Sequence, residues 1–303
     1  MQVFEYKKGV RLNIGRLAVA LGFFDGVHMG HRELLLRTGK IAREGGLGFA
    51  VFTFRSESLG VKSDGRLYST ESKLGILSSL GADAVIVADF PEVCDISAES
   101  FVADTLISDV GASVAVAGYD FRFGRGAAGD VRLLEEVIRR HGGECITVEE
   151  QTFLGEKVST TRIKALLSEG RVKEANLLLT EPYFISGRVS HGKGLGRTLG
   201  FPTVNIPIEK GFFAPRPGVY YSRLEIGGKS YTGLTNIGYC PTFGSRELHA
   251  EVFILDFFGE IYGDRVEVKL LDFIRDEKRF KDAEELKMQI NVDINKVKDN
   301  NFN

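Results

Sequence analysis

The sequence predicts an α/β chain in two parts: a doubly wound parallel sheet, followed by a small antiparallel β-barrel with a C-terminal helix. Three observations carry this. Apolar strand segments alternate with helical periodicity through the first half. After Glu181-Pro182 the helical period stops, and strand segments follow one another between turn signals. A last amphipathic stretch, Asp282 to Val297, puts Leu286, Ile290 and Ile294 on one helical face. With 303 residues the chain can bury two cores, so domains are expected at residues 1–181 and 182–303.

In the first half, strands are expected at Leu17–Phe23, Gly48–Phe54, Ala84–Ala88, Ser113–Ala117 and Glu144–Val148. The run Leu17-Ala18-Val19-Ala20-Leu21 is apolar on both faces, as a parallel strand covered by helices on each side must be. The helix Arg32–Arg43 should turn Leu34, Leu35 and Ile41 toward the sheet. Further helices are expected near Ser72–Leu80, Glu99–Val110 and Asp130–His141, with Thr161–Glu169 and Val172–Leu179 finishing this half. In the second half the strands are Tyr183–Ser190, Gly218–Ile226, Lys229–Thr235, Ala250–Phe257 and Arg265–Leu271, with Gly227-Gly228 as a hairpin turn. Five or six strands of this length favour a small closed barrel.

Composition narrows the function classes. A net charge of −2 provides no general attraction to nucleic acid or an anionic membrane, so any phosphate must be held by local groups. There is no apolar run of bilayer length, and MQVFEYKKGVRLN lacks the apolar segment of a signal peptide. Cys94, Cys145 and Cys240 are odd in number and widely spaced, which predicts reduced thiols in a cytoplasmic protein.

The sharpest motif is Phe23 to His31, FFDGVHMGH, where the first apolar strand turns into a helix. Free N–H groups and the helix dipole make such a turn a phosphate site, with Gly30 allowing close approach and His28 and His31 adding donors. Zinc fits less well, because no third histidine or matching cysteine lies nearby. Three glycine patterns follow. Gly187 to Gly194 nearly forms a P-loop, but Gly194 stands where the magnesium-binding Ser or Thr belongs. Gly124 to Gly129, GRGAAG, fits GxGxxG with Glu149 about twenty residues on, which leaves a dinucleotide-dependent oxidoreductase as an alternative; its strand, however, ends too early. His191 to Asn205, HGKGLGRTLGFPTVN, combines Gly192, Gly194 and Gly196 with Lys193 and Arg197, and its backbone could wrap a polyphosphate. Thr203 and Asn205 share one face of an extended segment and offer hard oxygens for Mg2+ carried with a nucleotide. Glu251 shares a strand face with Phe253, Leu255 and Phe257; burial there would raise its pKa and suit it to take a proton.

Together these motifs resemble the bifunctional bacterial riboflavin kinase/FAD synthetases, in order and over nearly the whole chain. FFDGVHMGH is similar to FDGVHxGH, Gly118–Gly124 to GxDFxFG, Val158–Lys164 to ISSTxIR, and GRTLGFPTVN to GRxLGFPTxN. Asn236–Phe243, Leu255–Phe257 with Ile261–Gly263, and Phe273–Glu277 complete the set. The resemblance implies a nucleotidylyltransferase-like sheet domain that transfers AMP from ATP to FMN, and a barrel domain that phosphorylates riboflavin from ATP. It implies riboflavin, FMN and ATP as partners, without nucleic acid or membrane. His28 and His31 would stabilise charge on ATP. Phe24, Asp25, Gly26, Gly30, Asp120, Ser159, Thr160 and Lys164 would line that nucleotide site, with Phe123 toward the flavin. In the barrel, Gly192, Gly194, Gly196 and Arg197 would wrap ATP, Thr203 and Asn205 would hold Mg2+, Glu251 would act as base, and Arg275 would help seat the flavin. Two departures stand out: Arg55-Ser56-Glu57-Ser58 replaces the PHP-bearing segment of many members, and Lys164 replaces an arginine. They leave a riboflavin kinase with a weak adenylyltransferase half as an alternative, and a non-catalytic flavin- or nucleotide-sensing module as a further one.

Overall fold

A computed structural model of the chain describes residues 1–59, 65–190, 203–242 and 245–299. Two compact units emerge, Met1–Arg162 and Ile163–Asn303.

The first unit is built on β1 (Gln2–Glu5), β2 (Leu17–Leu21), β3 (Gly48–Phe54), β4 (Ala84–Ala88), β5 (Ala112–Gly118) and β6 (Glu144–Val148). They form one sheet in the order β1-β4-β3-β2-β5-β6, and all its pairings are parallel. β2 and β4 are buried at all five positions, as their unbroken apolar sequences require. The chain steps outward from β2 through β3 and β4, then returns to β5 and β6. The order therefore reverses between β2 and β5, and ligands of such sheets bind at that reversal, outside the carboxyl ends of the strands. The covering helices are α1 (Met29–Gly45), α2 (Thr70–Ser79), the short α3 (Phe90–Val93), α4 (Ala98–Ser100, continuing as a π-helical segment Phe101–Val110) and α5 (Val131–Arg140). Leu34 and Leu35 of α1 are buried as expected, and Ile41 only partly. β1 was not expected. Its two apolar residues are adjacent between two polar ones, Phe4 is only partly buried and Val3 is 50% exposed, so QVFE carries a weak apolar signal; pairing with β4 makes it an edge strand. The small hairpin β7 (Thr152–Phe153) and β8 (Glu156–Lys157) was also not expected.

In the second unit, α6 (Thr160–Ser168, which begins in the first) and α7 (Val172–Leu178) precede a six-stranded antiparallel sheet. Its strands are β9 (Phe184–Arg188), β10 (Thr203–Pro207), β11 (Gly218–Ile226), β12 (Lys229–Thr242), β13 (Ser245–Ile254) and β14 (Arg265–Arg275), in the order β10-β13-β12-β11-β14-β9. The outer strands meet at a Ser190–Asn205 bridge, where the Ser190 N–H donates to the Asn205 carbonyl at 2.8 Å; the barrel is nearly closed. Gly227 and Gly228 at φ 56° and 76° make the expected two-residue hairpin, since both central residues of a type I′ turn need positive φ. The division between units falls earlier than Glu181-Pro182. α7 packs on β14, with Asn176 Nδ2 donating to the Leu270 carbonyl and its Oδ1 accepting the Tyr183 N–H, so this helix serves the barrel and not the parallel sheet.

The closing helix α8 (Ala283–Asp299) lays Ile294 and Val297 against Val219, Tyr221, Leu234 and Leu255. Asp293, 1% exposed, accepts both Nε and Nη2 of Arg275, at 2.9 and 2.8 Å. Asp293→Ala leaves a guanidinium without its counter-charge, and we expect the barrel unit to lose about 3 kcal/mol in urea unfolding followed by circular dichroism. A loss below about 1 kcal/mol would show that apolar packing alone seats α8.

Two candidate active sites

The first site grows from the turn that leaves β2. Phe24, Gly26 and Val27 sit at φ 54°, 84° and 39°. Positive φ is routine for Gly26 but a true outlier for the β-branched Val27. The surroundings hold it. Phe24 and Val27 are fully buried. The Phe23 carbonyl accepts the Thr53 hydroxyl at 3.0 Å and Lys73 Nζ at 3.1 Å. Asp25 Oδ1 accepts the Leu67 N–H at 3.0 Å, and the Asp25 carbonyl accepts the Thr160 hydroxyl at 2.9 Å.

The turn delivers His28 to the N-cap of α1, where its Nδ1 accepts the His31 N–H at 3.3 Å. That bond leaves the His28 ring proton on Nε2. The two imidazoles stack with centroids 3.7 Å apart and planes 13° off parallel. Gly30 permits this: a Cβ there would stand 3.3 Å from the His28 ring. The Phe24 ring meets His31 edge-on at 5.2 Å, which assigns it to supporting the histidine, and His31 Nδ1 is buried without a hydrogen-bond partner. Burial lowers His28 to about 4 against a smaller opposing pull from Asp120. Burial, then the charges of His28 and Lys73, holds His31 well below its ordinary value. Both rings are neutral N–H donors near pH 7, at the positive end of a 17-residue helix.

Other expected residues fall around this centre. Asp120 is exposed and pairs with Lys157 Nζ at 2.9 Å, while Lys157 also bonds the Tyr119 hydroxyl. The Ser159 hydroxyl caps α6 by accepting the Arg162 N–H. Phe123 is a correction. It is 6% exposed, packs against Phe101 and Phe121, and fills the space beside Gly129, so its ring is core and presents no face to a flavin. Lys164 falls in the second unit, its ammonium 5.9 Å from the Phe213 ring centroid. Gly124 and Gly129 of GRGAAG serve close packing: a Cβ on Gly124 would stand 2.6 Å from Ala98 Cα. The divergent Arg55–Ser58 forms its own short turn, with Arg55 bonded to Asp89 and Glu5, and Glu57 to Thr70. Sequence reasoning missed Lys73 and Arg66, 1% and 4% exposed. The available signal was helical spacing: Lys73 shares a face of α2 with Ile76 and Leu77.

The second site lies on the barrel. Asn205 on β10, Glu251 on β13 and Asn236 on β12 are direct cross-strand partners, so their side chains leave the same face. The Thr203 hydroxyl donates to Glu251 Oε1 at 2.7 Å. Glu251 is half-buried between the polar cross-strand partners Asn205 and Asn236; of the apolar residues expected along its face, Phe253 shares β13, while Leu255 and Phe257 lie beyond its end at Ile254. Asn236 is the member of this row that sequence reasoning did not single out. The row continues through Val219 to Arg275, whose guanidinium is bound to Asp293. Gly192, Gly194, Gly196 and Arg197 lie outside the described residues.

The first unit thus sets a pair of neutral imidazoles at a helix N-terminus where a parallel sheet reverses, and the second sets a carboxylate and amide row on a barrel, the arrangement of two separate candidate centres. Comparison with known proteins is specific. A family model described as FAD synthetase matches residues 12–162, and one described as riboflavin kinase matches 179–301. The bifunctional riboflavin kinase/FMN adenylyltransferase of Bacillus subtilis (strain 168) is 37% identical over 284 residues, 91% of this chain and 89% of that protein. Its Escherichia coli (strain K12) counterpart is 35% identical, covering 90% and 88%. A crystal structure described as a macrolide-efflux protein from Streptococcus pneumoniae superposes with TM-score 0.88 at 30% identity over all of both chains. The chain belongs to the bifunctional riboflavin kinase/FMN adenylyltransferase family. Among the described residues no helix is long and apolar enough to cross a membrane.

The histidine pair makes a pH prediction. A base whose folded pKa lies below its unfolded value stabilises the fold above the unfolded value, and that stability drains away as pH falls. For His28 the window runs from the ordinary 6.5 down to about 4. Asn at position 28 can still cap α1 but does not titrate. We expect the first unit of the wild type to lose about 2 kcal/mol more than His28→Asn between pH 7 and 4.5 in urea unfolding. Parallel pH profiles would mean His28 is protonated in the fold.

Proposed function

We propose that the chain makes FAD from riboflavin in two ATP-dependent steps, with phosphorylation in the Ile163–Asn303 unit and adenylyl transfer in the Met1–Arg162 unit. The stacked His28–His31 pair at the start of α1 is the observation that carries the second assignment. In the barrel, Glu251 accepts the proton of a ribityl hydroxyl as that oxygen attacks the γ-phosphorus of ATP, and ADP leaves. The Thr203 hydroxyl orients the carboxylate. Thr203 and Asn205 offer the hard oxygens magnesium takes, so this pair fits the ion. Bound there, magnesium would supply neutralisation of the triphosphate.

In the first unit a phosphate oxygen of FMN attacks the α-phosphorus of ATP, and pyrophosphate leaves, so no protein nucleophile is needed. The His28 and His31 N–H groups and the α1 terminus hold phosphate oxygens while charge shifts to the leaving group. Asp25, Ser159 and Thr160 keep this wall in place. Use of ATP and the unpaired Cys94 and Cys145 support a cytoplasmic setting. A kinase with weakened adenylyl transfer is the second reading, favoured by the divergent Arg55–Ser58 segment; brisk conversion of supplied FMN to FAD would dispose of it.

Chromatography of flavins formed from riboflavin, ATP and magnesium tests the division. Glu251→Gln should cut FMN formation about 100-fold or more while FAD still forms from supplied FMN. His28→Ala should cut FAD formation about 100-fold and leave FMN formation within about twofold. Equal loss of both products in either variant would contradict separate sites.

A further inference from the structure

Lys73 is the most deeply buried cation of the first unit that the scheme above leaves without a role. It is 1% exposed, and its ammonium reaches three neutral oxygens at the carboxyl ends of β2 and β3: the Phe23 carbonyl at 3.1 Å, the Thr53 hydroxyl at 3.2 Å and the Phe54 carbonyl at 2.6 Å. Nζ also lies 4.7 Å from the centroid of the Phe23 ring. Phe23 is where the strained turn departs, and three of the next four residues take positive φ. Such a turn persists only where its surroundings over-determine it.

We propose that Lys73 is a positioning residue for adenylyl transfer: by fixing the Phe23 carbonyl, its ammonium holds the turn that sets His28 and His31 for the phosphates. The proposal rests on the placement of adenylyl transfer in the first unit. Lys73 touches no substrate and acts through the backbone of the turn. An ammonium has three hydrogens for three oxygens; a neutral amine has two and no charge. Four groups face Nζ. Asp25 of the turn and Glu57 after β3 favour the ammonium, Arg66 before α2 opposes it, and His31 of α1 stands beside it as a neutral ring. Burial outweighs them and brings Lys73 down to about 7. The clamp therefore weakens as pH rises through neutrality, a window well above those of His28 and His31.

The test uses the full chain with FMN, ATP and magnesium, following FAD formation from about pH 6 to 9. Riboflavin phosphorylation by the same samples is the control. Wild-type kcat/KM for ATP should fall above about pH 7. Lys73→Met should lower kcat for FAD about tenfold or more at pH 6.5, change KM for ATP less than about threefold, and abolish the inflection, with FMN formation unchanged. Thr53→Val, which keeps volume but removes one acceptor of the ammonium, should shift the inflection to lower pH. If Lys73→Met keeps FAD formation within about twofold and titrates like the wild type, the proposal fails. If Lys73→Met does not fold, a wild-type profile without an inflection near neutrality, or one that Thr53→Val leaves in place, overturns it. A wild type that makes FMN yet no FAD from supplied FMN would remove the underlying assignment as well, and is distinguished because it needs no variant.

Discussion

The turn between β2 and α1 is the constraint on which the first unit depends. A parallel strand ends inside the protein, and the chain must reverse into a helix while presenting polar groups outward. Here it does so through Phe24, Gly26 and Val27 at positive φ. The two non-glycine residues cost on the order of 1–3 kcal/mol each. Their side chains are completely buried, and that burial offsets the strain at the same positions. In return His28 arrives at the N-cap and stacks on His31 one helical turn away. A relaxed turn would leave the helix terminus intact and the histidines elsewhere.

The barrel solves its positioning problem differently. No strained backbone is needed, because cross-strand pairing alone brings Asn205, Glu251 and Asn236 into one row. The same register closes the barrel, since the Asn205 carbonyl accepts the Ser190 N–H that joins the outer strands. A slip of one residue in β10 would turn Thr203 and Asn205 to the opposite face and break that bridge together. Stability of the sheet and placement of its oxygen donors are therefore one constraint.

The sequence was legible where a single local rule decided the outcome. Apolar runs located β2 to β6, one glycine pair located the hairpin, and FFDGVHMGH marked the turn from β2 into α1. It was illegible where tertiary partners decided. β1 is too short and too mixed to announce itself without β4 beside it. α7 has an ordinary amphipathic pattern, and only Asn176 and β14 show which sheet it serves. Phe123 stood in a motif and was expected to face flavin, yet aromatic rings carry the same apolar signal in a core as in a pocket. Lys73 was overlooked because lysine on a helix is usually solvated. Its burial is stabilised by three acceptors distant in sequence, one in the turn after β2 and two at the end of β3, which helical spacing alone does not display.

The neutral state of the histidine pair bears on how the first site could favour reaction over tight binding. Two cations stacked at 3.7 Å would repel each other and would lose solvation in a buried setting, so the free protein keeps both rings uncharged. Neutral donors hold a resting triphosphate less firmly than imidazolium ions would. On the proposed placement of ATP, each N–H···O bond would strengthen as displacement moves negative charge onto the leaving pyrophosphate, and the local field would increasingly favour the protonated rings. A pair already charged in the resting state would spend more of its attraction on ATP itself and on retained pyrophosphate. On that proposal, burial that makes these imidazoles weak bases is what would let their contribution rise along the reaction.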